Sequence, residues 1–319
     1  MPFVSILVSV YNSESTIEKC LDSIMALKYP REKLEVIVVD DGSTDKTREL
    51  VKDYSIQLVR KEHGGYPSTM NTGIRVAKGD VILNIDSDTY ISEDWLVKVF
   101  EEFKDPKVGV VGGYVATAPT SSFWAKMAGF ESEDREDKMN SKYVDFVTST
   151  CTAYRKELFS NIGLFNEDLR RGSDEELTQR ALRAEWKIVL RKDVICYHEG
   201  ASLAEYFRKQ VLNIIYEVKS FLQHPELLSG KKQHPPSLYI PLILTFLLVL
   251  TPLWLLTNNA WISILSLLGI ILYHIPRTVR IIRKHKDWSM IFLPVAIIVR
   301  YVAWLTGSVI GVTRLLIKR

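Results

Sequence analysis

Along the first half of the chain, apolar residues fall in short blocks separated by amphipathic stretches. Phe3 to Val10 (FVSILVSV) and Leu34 to Val39 (LEVIVV) are runs rich in β-branched residues, the pattern of strands covered on both faces. Ile56 to Arg60, Val81 to Ile85 and Val108 to Val115 read as three further strands. Between them the period changes. Ile17, Leu21, Ile24 and Met25 recur at helical spacing within Ser15 to Leu27, and Ser43-Thr44-Asp45 supplies capping residues for a helix through Val51. Ser68 to Ala77 and the stretch opened by Ser92-Glu93-Asp94 complete the set. Strands alternating with helices predict an α/β domain with a mostly parallel sheet flanked by helices. In such sheets ligands bind beyond the carboxyl ends of the strands.

The pattern changes near Gln233, after which long apolar runs dominate. Leu203 to Leu222 places Phe207, Val211, Ile214, Ile215, Val218 and Phe221 on one helical stripe. It reads either as a helix packed on the soluble domain or as one lying along a membrane surface, and its position just before Lys231-Lys232 favours the surface. Leu238 to Leu256 carries no charge, and at about 1.5 Å per residue it suffices to cross a hydrocarbon core of about 30 Å. Thr257-Asn258-Asn259 is a tight turn, and Ala260 to Pro276 returns. Arg277 to Lys286 (RTVRIIRKHK) reads as a basic loop, which the positive-inside rule places in the cytosol. Trp288 to Val312 has the length of a third span but carries Arg300 near its centre, a costly position without a partner. Arg300, Trp304, Gly307, Gly311 and Arg314 share one helical face, which favours a membrane-embedded or interfacial helix. The expected organisation is a cytosolic domain over 1–225, including the amphipathic helix, and an all-α membrane region over 226–319.

Composition adds exclusions. The averages, 47% hydrophobic and 25% charged, conceal two unlike parts, and a net charge of +3 argues against a nucleic-acid partner. Cys20, Cys151 and Cys196 make neither a disulfide framework nor a zinc pattern and read as small buried apolar side chains. Phe3 to Val10 is too short for the apolar region of a signal peptide.

Three strand ends carry polar residues: Ser9-Val10-Tyr11-Asn12, Asp40-Asp41 and Asp86-Ser87-Asp88. Two carboxylates facing an apolar cleft would repel, and a divalent cation resolves the conflict, since Mg²⁺ takes one or two carboxylates and leaves positions for phosphates and water. Alone, the Asp-Ser-Asp reads first as a loop whose acids cap the next helix or sit in water. Asp40-Asp41-Gly42-Ser43 has the same two faces: a turn with an N-cap, or a carboxylate that accepts the imide N–H of a pyrimidine while Tyr11 stacks on the ring.

Taken together, VSVYNSESTIEKCLDSI from Val8, VIVVDDGSTDKT from Val36 and NTGIRVAKGDVILNIDSDT from Asn71 resemble the family 2 nucleotide-sugar glycosyltransferases, with their GT-A fold and Rossmann-like nucleotide-binding half. The resemblance covers roughly residues 3–215. It implies that Ser9, Tyr11 and Asp41 line the base pocket beside Asn12, with Asp40 in support and Asp86 near the ribose. Asp88 would bind Mg²⁺ or Mn²⁺ on the diphosphate, and His198, in VICYHEGAS, falls where the family closes on the metal. Asn71 and Gly73 fall where the family packs a helix beneath the nucleotide. The basic residue common just before the asparagine is missing, and Lys61 or His63 stands in for its charge.

GLFNEDLRRGSDEELTQRALRAEWKI from Gly163 resembles the family's second signature, with Ser173-Asp174 in place of Glu-Asp. Asp174 is then the general base, with Glu175 and Glu176 as its nearest substitutes. The same residues also read as an ordinary acidic first turn of a helix. Arg208 and Gln210, in YFRKQ, match positions that membrane relatives use for diphosphate or acceptor. Gly112-Gly113-Tyr114 and a loop over Thr148 to Tyr154 would touch the sugar or the acceptor.

The expectation is a membrane-bound, metal-dependent, inverting transferase. It would take a sugar from a nucleoside diphosphate, UDP first, and pass it to a hydroxyl of a lipid-linked glycan or glycolipid at the cytosolic leaflet. The nearest alternative is a polyprenyl-phosphate sugar synthase. A processive polysaccharide synthase fits less well, because a Gln-x-x-Arg-Trp element is absent. Retention of Tyr11, Asp41, Asp86, Asp88 and Asp174 together argues against an inactive scaffold.

Overall fold

The computed structural model describes residues 1–169, 172–200, 202–223 and 239–317, with backbone alone at 217–223, 239 and 314–317. Leu238, Lys231, Lys232, Lys318 and Arg319, which figure in the expected membrane region, lie outside these residues, as does the Arg314 side chain. The chain forms two compact units, residues 1–121 with 135–200, and residues 122–134 with 201–319. The amphipathic helix expected at the end of the soluble domain belongs to the second unit.

The first unit is built on an eight-stranded sheet of order β3-β2-β1-β4-β7-β6-β8-β5. Its strands are β1 (Val4–Val10), β2 (Leu34–Asp40), β3 (Gln57–Arg60), β4 (Val81–Asp86), β5 (Thr89–Ile91), β6 (Val108–Thr117), β7 (Cys151–Arg155) and β8 (Lys187–His198). β3, β2, β1 and β4 are mutually parallel, as their continuous apolar runs predict. Val4, Ile6, Val8 and Val10 face one core with Ile17, Leu21 and Ile24 of α1 (Ile17–Met25), while Leu7, Ile37, Val39 and Ile82 face the other with Met70 and Ile74 of α3 (Tyr66–Val76). Both faces are covered, so both alternating sets must be apolar. α3 lies close against the sheet, because a Cβ added at Gly73 would meet Leu7 Cδ1 at 3.0 Å and Val39 Cγ2 at 3.2 Å.

Beyond β4 the sheet departs from the expected parallel pattern. β7 runs antiparallel to both β4 and β6, and β5 runs antiparallel to β8. The sheet is mixed, and the loop expected over Thr148 to Tyr154 is largely the inserted strand β7. The helix expected from Ser43 begins late, as α2 (Thr47–Leu50) followed by a 3₁₀ turn at Val51–Asp53. The reason is local: Thr44 N donates to Asn12 Oδ1 at 2.8 Å and Lys46 N to Glu14 Oε2 at 3.0 Å, so these amides serve the first loop instead. α4 (Trp95–Phe100), α5 (Phe123–Asp137), α6 (Lys156–Ile162) and α7 (Ser173–Arg183) follow.

The second unit contains most of α5 together with α8 (Leu203–Gln223), α9 (Tyr239–Val249), α10 (Thr251–Leu256), α11 (Trp261–His285) and α12 (Leu293–Ile317). Met127, Phe130, Tyr206, Ile281, Met290, Leu293, Ile297 and Tyr301 form its core. The expected first span over 238–256 is not one continuous helix, because Leu250 separates α9 from α10. The turn at Thr257-Asn258-Asn259 stands as expected, with Asn258 at φ 58°. Arg277 to His285 is not a loop: α11 runs on through Pro276 to His285. Acids of α5 neutralise this stretch. Arg277 Nη1 lies 2.7 Å from Glu131 Oε1, Arg280 Nε 2.9 Å from Asp134 Oδ1 and Lys284 Nζ 3.1 Å from Glu133 Oε2. The partner that Arg300 demands is the same Glu131, whose Oε2 lies 2.7 Å from Arg300 Nη1. Trp261–His285 and Trp288–Thr313 are long and apolar enough to cross a bilayer by length and composition.

Candidate active site

The register of the parallel strands gathers the polar strand ends. Ser9 of β1 stands opposite Val39 of β2 and Asp86 of β4, and Val10 stands opposite Asp40. Asp40 is buried and structural: its Oδ1 accepts from Ser43 N at 2.9 Å, and Arg48 Nε lies 3.5 Å from its Oδ2. Ser9 Oγ reaches Met70 Sδ at 3.5 Å. Asn12, at φ 51°, accepts from Thr44 N on its side-chain oxygen and donates its own amide to Ser43 Oγ at 3.0 Å, so it ties the loop after β1 to the loop after β2.

Asp41 is buried beneath donors of its own chain. Lys61 Nζ lies 2.5 Å and Gly64 N 2.9 Å from Oδ1, while Gly65 N and His63 Nδ1 each lie 2.9 Å from Oδ2. Burial pushes this carboxyl up, but Lys61 and the two glycine amides outweigh it and hold Asp41 below the usual carboxylate range. Gly65, at φ 86°, adopts a backbone that favours glycine, and it aims its amide at the carboxylate while starting α3. A carboxylate offers about four acceptor positions, and these four donors fill them. The charge of Lys61 therefore goes to Asp41, with the His63 ring beside it. The His63 ring also lies 4.3 Å from that of Tyr11, and both side chains are exposed, so His63 is the donor that a base could displace.

Asp86 ends β4, and the three residues of β5 fold straight back against β8, pairing Thr89 with His198. That pairing sets His198 Nε2 3.3 Å from Asp88 Oδ2. Glu199 N also donates to Asp88 O at 2.8 Å. Burial first, and Asp88 next, push the Asp86 carboxyl up to about 7, against the opposing pull of His198 and an Asn84 hydrogen bond. Ser13 Oγ and Ser87 Oγ lie 2.8 Å apart and join the first loop to the acidic turn.

Asp174 stands in the first turn of α7 beside Glu175, whose amide donates to Asp174 Oδ1 at 3.0 Å. Tyr154 is buried and Tyr66 half-buried with its hydroxyl enclosed; burial first, then neighbouring charges that include Asp86 and Asp174, push both phenols upward. Arg208 and Gln210 belong to α8 in the second unit, where Gln210 Oε1 accepts from Trp304 Nε1 at 2.8 Å.

Sequence reasoning passed over Asn84, which is fully buried and donates to Ser149 O beneath the acidic turn. Its signal was legible as a lone amide inside the apolar run VILNID. The Gly64 and Gly65 amides were also missed, since a backbone donor leaves no side-chain trace.

Among the described residues no cluster of three or more His, Cys, Asp or Glu converges on one point. Asp88 and His198 nevertheless fit a hard divalent ion. They would supply one carboxylate and one imidazole, leaving the remaining positions to phosphate and water, and they sit beside Asp86, a second acid that burial first and Asp88 next push upward.

Residues 5–163 match the family described as Glycosyl transferase family 2. Over 218 residues the chain is 29% identical to glycosyltransferase AglE of Haloferax volcanii, a match covering 66% of this chain and 71% of AglE. It is 30% identical over 215 residues to the uncharacterized glycosyltransferase EpsJ of Bacillus subtilis, covering 63% of this chain and 62% of EpsJ. It is 28% identical over 201 residues to the poly-beta-1,6-N-acetyl-D-glucosamine synthase of Staphylococcus aureus, covering 59% of this chain and 46% of the synthase. The chain matches less than two thirds of the length of these last two. Among solved structures it is similar to mannosyltransferase PcManGT from Pyrobaculum calidifontis in complex with GDP-Man and Mn²⁺, with a TM-score of 0.59 at 22% identity over 95% of this chain and 87% of that one. Staphylococcus aureus TarS 1-349 in complex with UDP-GlcNAc follows at 0.51 and 20%, over 96% of this chain and 90% of TarS 1-349. Both likenesses establish a fold of the GT-A type. Residues 5–163 thus form a glycosyl transferase family 2 domain, and the chain is a glycosyltransferase.

Proposed function

We propose that this transferase is membrane-bound, metal-dependent and inverting, moving a sugar from a UDP-sugar donor to a hydroxyl of a lipid-linked glycan or glycolipid at the cytosolic leaflet. The observation that carries the donor side is the acidic turn, where Asp88 lies 3.3 Å from His198 and Asp86 is pushed up to about 7. Mg²⁺ or Mn²⁺ bound by Asp88 and His198 would supply charge neutralisation to a departing diphosphate. Support comes from the two structural neighbours, which hold GDP-Man with Mn²⁺ and UDP-GlcNAc.

The chain's own residues do the rest. Tyr11 offers an exposed ring to the base, above the loop that Asp41 holds in place. Asp174 sits at the N-terminal end of α7, where the helix dipole favours its anion. As an anion it takes the proton of the acceptor hydroxyl while that oxygen attacks the anomeric carbon. Attack from the face opposite the diphosphate inverts the configuration, and positioning supplies much of the rate.

The membrane reading rests on the second unit. Ile240, Ile243 and Phe246 of α9, with Leu265, Leu268 and Leu272 of α11, are large apolar side chains turned to the exterior, as a helix facing hydrocarbon would present them. A lipid-linked acceptor gives such a surface a purpose.

The test is to incubate the detergent-purified protein with UDP-glucose, UDP-N-acetylglucosamine and GDP-mannose, with Mn²⁺ or Mg²⁺, reading released nucleoside diphosphate with and without a lipid extract. Release from a UDP-sugar that needs both metal and lipid is expected. Release that is equal in EDTA, or that ignores lipid, contradicts the reading.

A further inference from the structure

Asn71 sits in α3, 2% exposed, and grips the backbone of one residue from both sides. Its Nδ2 donates to Phe165 O at 2.9 Å, and its Oδ1 accepts from Phe165 N at 2.9 Å. The second Nδ2 proton goes to Glu167 Oε1 at 2.8 Å. This is the reciprocal pair one strand residue makes with another, here made by a carboxamide, the side-chain group that carries a donor and an acceptor side by side. Phe165 itself is packed edge-on against Tyr66 and Tyr154, with ring centroids 6.0 and 6.1 Å away.

From the other side, Arg180 of α7 grips the same segment. Its Nη2 donates to Leu164 O at 2.7 Å and its Nη1 to Gly163 O at 3.3 Å, with Ile162 O as a further acceptor. Glu176 holds the guanidinium in place, at 2.7 Å from Nε and 2.8 Å from Nη2. The segment 162–165 is therefore a strap between two helices. Gly65, which caps the start of α3, donates to Asp41, and Met70 of α3 meets Ser9; α7 carries Asp174. No contact of Asn71 with substrate is required for it to matter.

We propose that Asn71 is a positioning residue for the base: with Arg180 as its counterpart, it sets the depth and angle of α7, and so of Asp174, against the strand ends that bind the nucleotide. The inference rests on the reading of Asp174 as general base. A displacement of about 1 Å at a reacting group can cost on the order of 100-fold in rate, so a strap this short has catalytic weight.

The experiment compares Asn71→Leu, Arg180→Met, Asp174→Ala and the Asn71→Leu/Asp174→Ala double variant of the full chain. It measures UDP affinity with Mn²⁺, and nucleoside diphosphate release from whichever of UDP-glucose, UDP-N-acetylglucosamine and GDP-mannose is active. Asn71→Leu is expected to lower kcat by about 30- to 100-fold with UDP affinity within about twofold, and to cause no further loss once Asp174 is gone. Arg180→Met, which loosens the strap at its less buried end, gives the same kcat-only signature should Asn71→Leu fail to fold. Parallel loss of UDP affinity in both variants, unchanged kcat, or additive losses in the double variant would overturn the proposal. Normal turnover by Asp174→Ala alone overturns the base reading and the strap's role with it. An inactive Asp174→Ala beside a normal Asn71→Leu overturns only the strap.

Discussion

His198 Nε2 lies 3.3 Å from Asp88 Oδ2 although 110 positions separate them in the chain, because β5 turns back at once and pairs Thr89 with His198. The imidazole is therefore delivered to the acidic turn by sheet register. His198→Ala should raise the Mn²⁺ concentration needed for half-maximal nucleotide release by about 10- to 100-fold, the usual effect of losing one metal-supporting group. Asp88→Asn should cost more, since it removes the anionic ligand. A metal titration of both variants checks the order, and equal metal requirements across wild type and variants would count against it.

Asp174→Ala should reduce turnover by about 100- to 10,000-fold, the range of a general base, with UDP affinity retained. The readout is kcat against the UDP dissociation constant. Near-normal turnover would favour an acceptor whose attacking oxygen is already ionised, such as a polyprenyl phosphate.

Asp41 makes a prediction with a definite sign. Its folded pKa lies below the unfolded value of about 3.9, so its contribution to stability is fully present above that value and is lost as pH falls through the lower, folded one. Thermal melts of wild type and Asp41→Asn should differ most at neutral pH and converge on acidification below about pH 4. A gap in Tm that stays constant from pH 7 to pH 3 would show that Lys61, Gly64 and Gly65 do not hold an anion.

Glu131 lies between two guanidiniums, 2.7 Å from each of Arg277 and Arg300, with its own side chain 6% exposed and that of Arg300 14%. Removing one partner of a buried ion group leaves the other uncompensated, at about 3–5 kcal/mol. Glu131→Gln should lower the melting temperature clearly, and pairing it with Arg300→Met should recover part of the loss. Strictly additive losses would mean that the pair is not coupled.

The half of the sheet that carries the polar strand ends was legible because β1, β2 and β4 are covered on both faces, which writes uninterrupted apolar runs into the sequence. The rest depended on distant partners. Thr89–Ile91 is a strand only because β8 pairs with it, and Cys151–Arg155 only because it inserts between β4 and β6. Arg277 to His285 looked like a loop for its charge, yet Glu131, Glu133 and Asp134 neutralise it from far upstream. At the site, the two strand-end acidic motifs could be read directly. What surrounds Asp41 could not, since half of its donors are glycine amides.

The most direct measurement is an anomalous difference map, at a wavelength where manganese scatters, from crystals of the full chain grown with UDP and Mn²⁺. The expected result is one peak about 2.0–2.4 Å from an Asp88 carboxylate oxygen and beside His198, with the diphosphate on its far side and Tyr11 against the base. A nucleotide–metal complex seated away from Asp86 and Asp88 would contradict the account at its root.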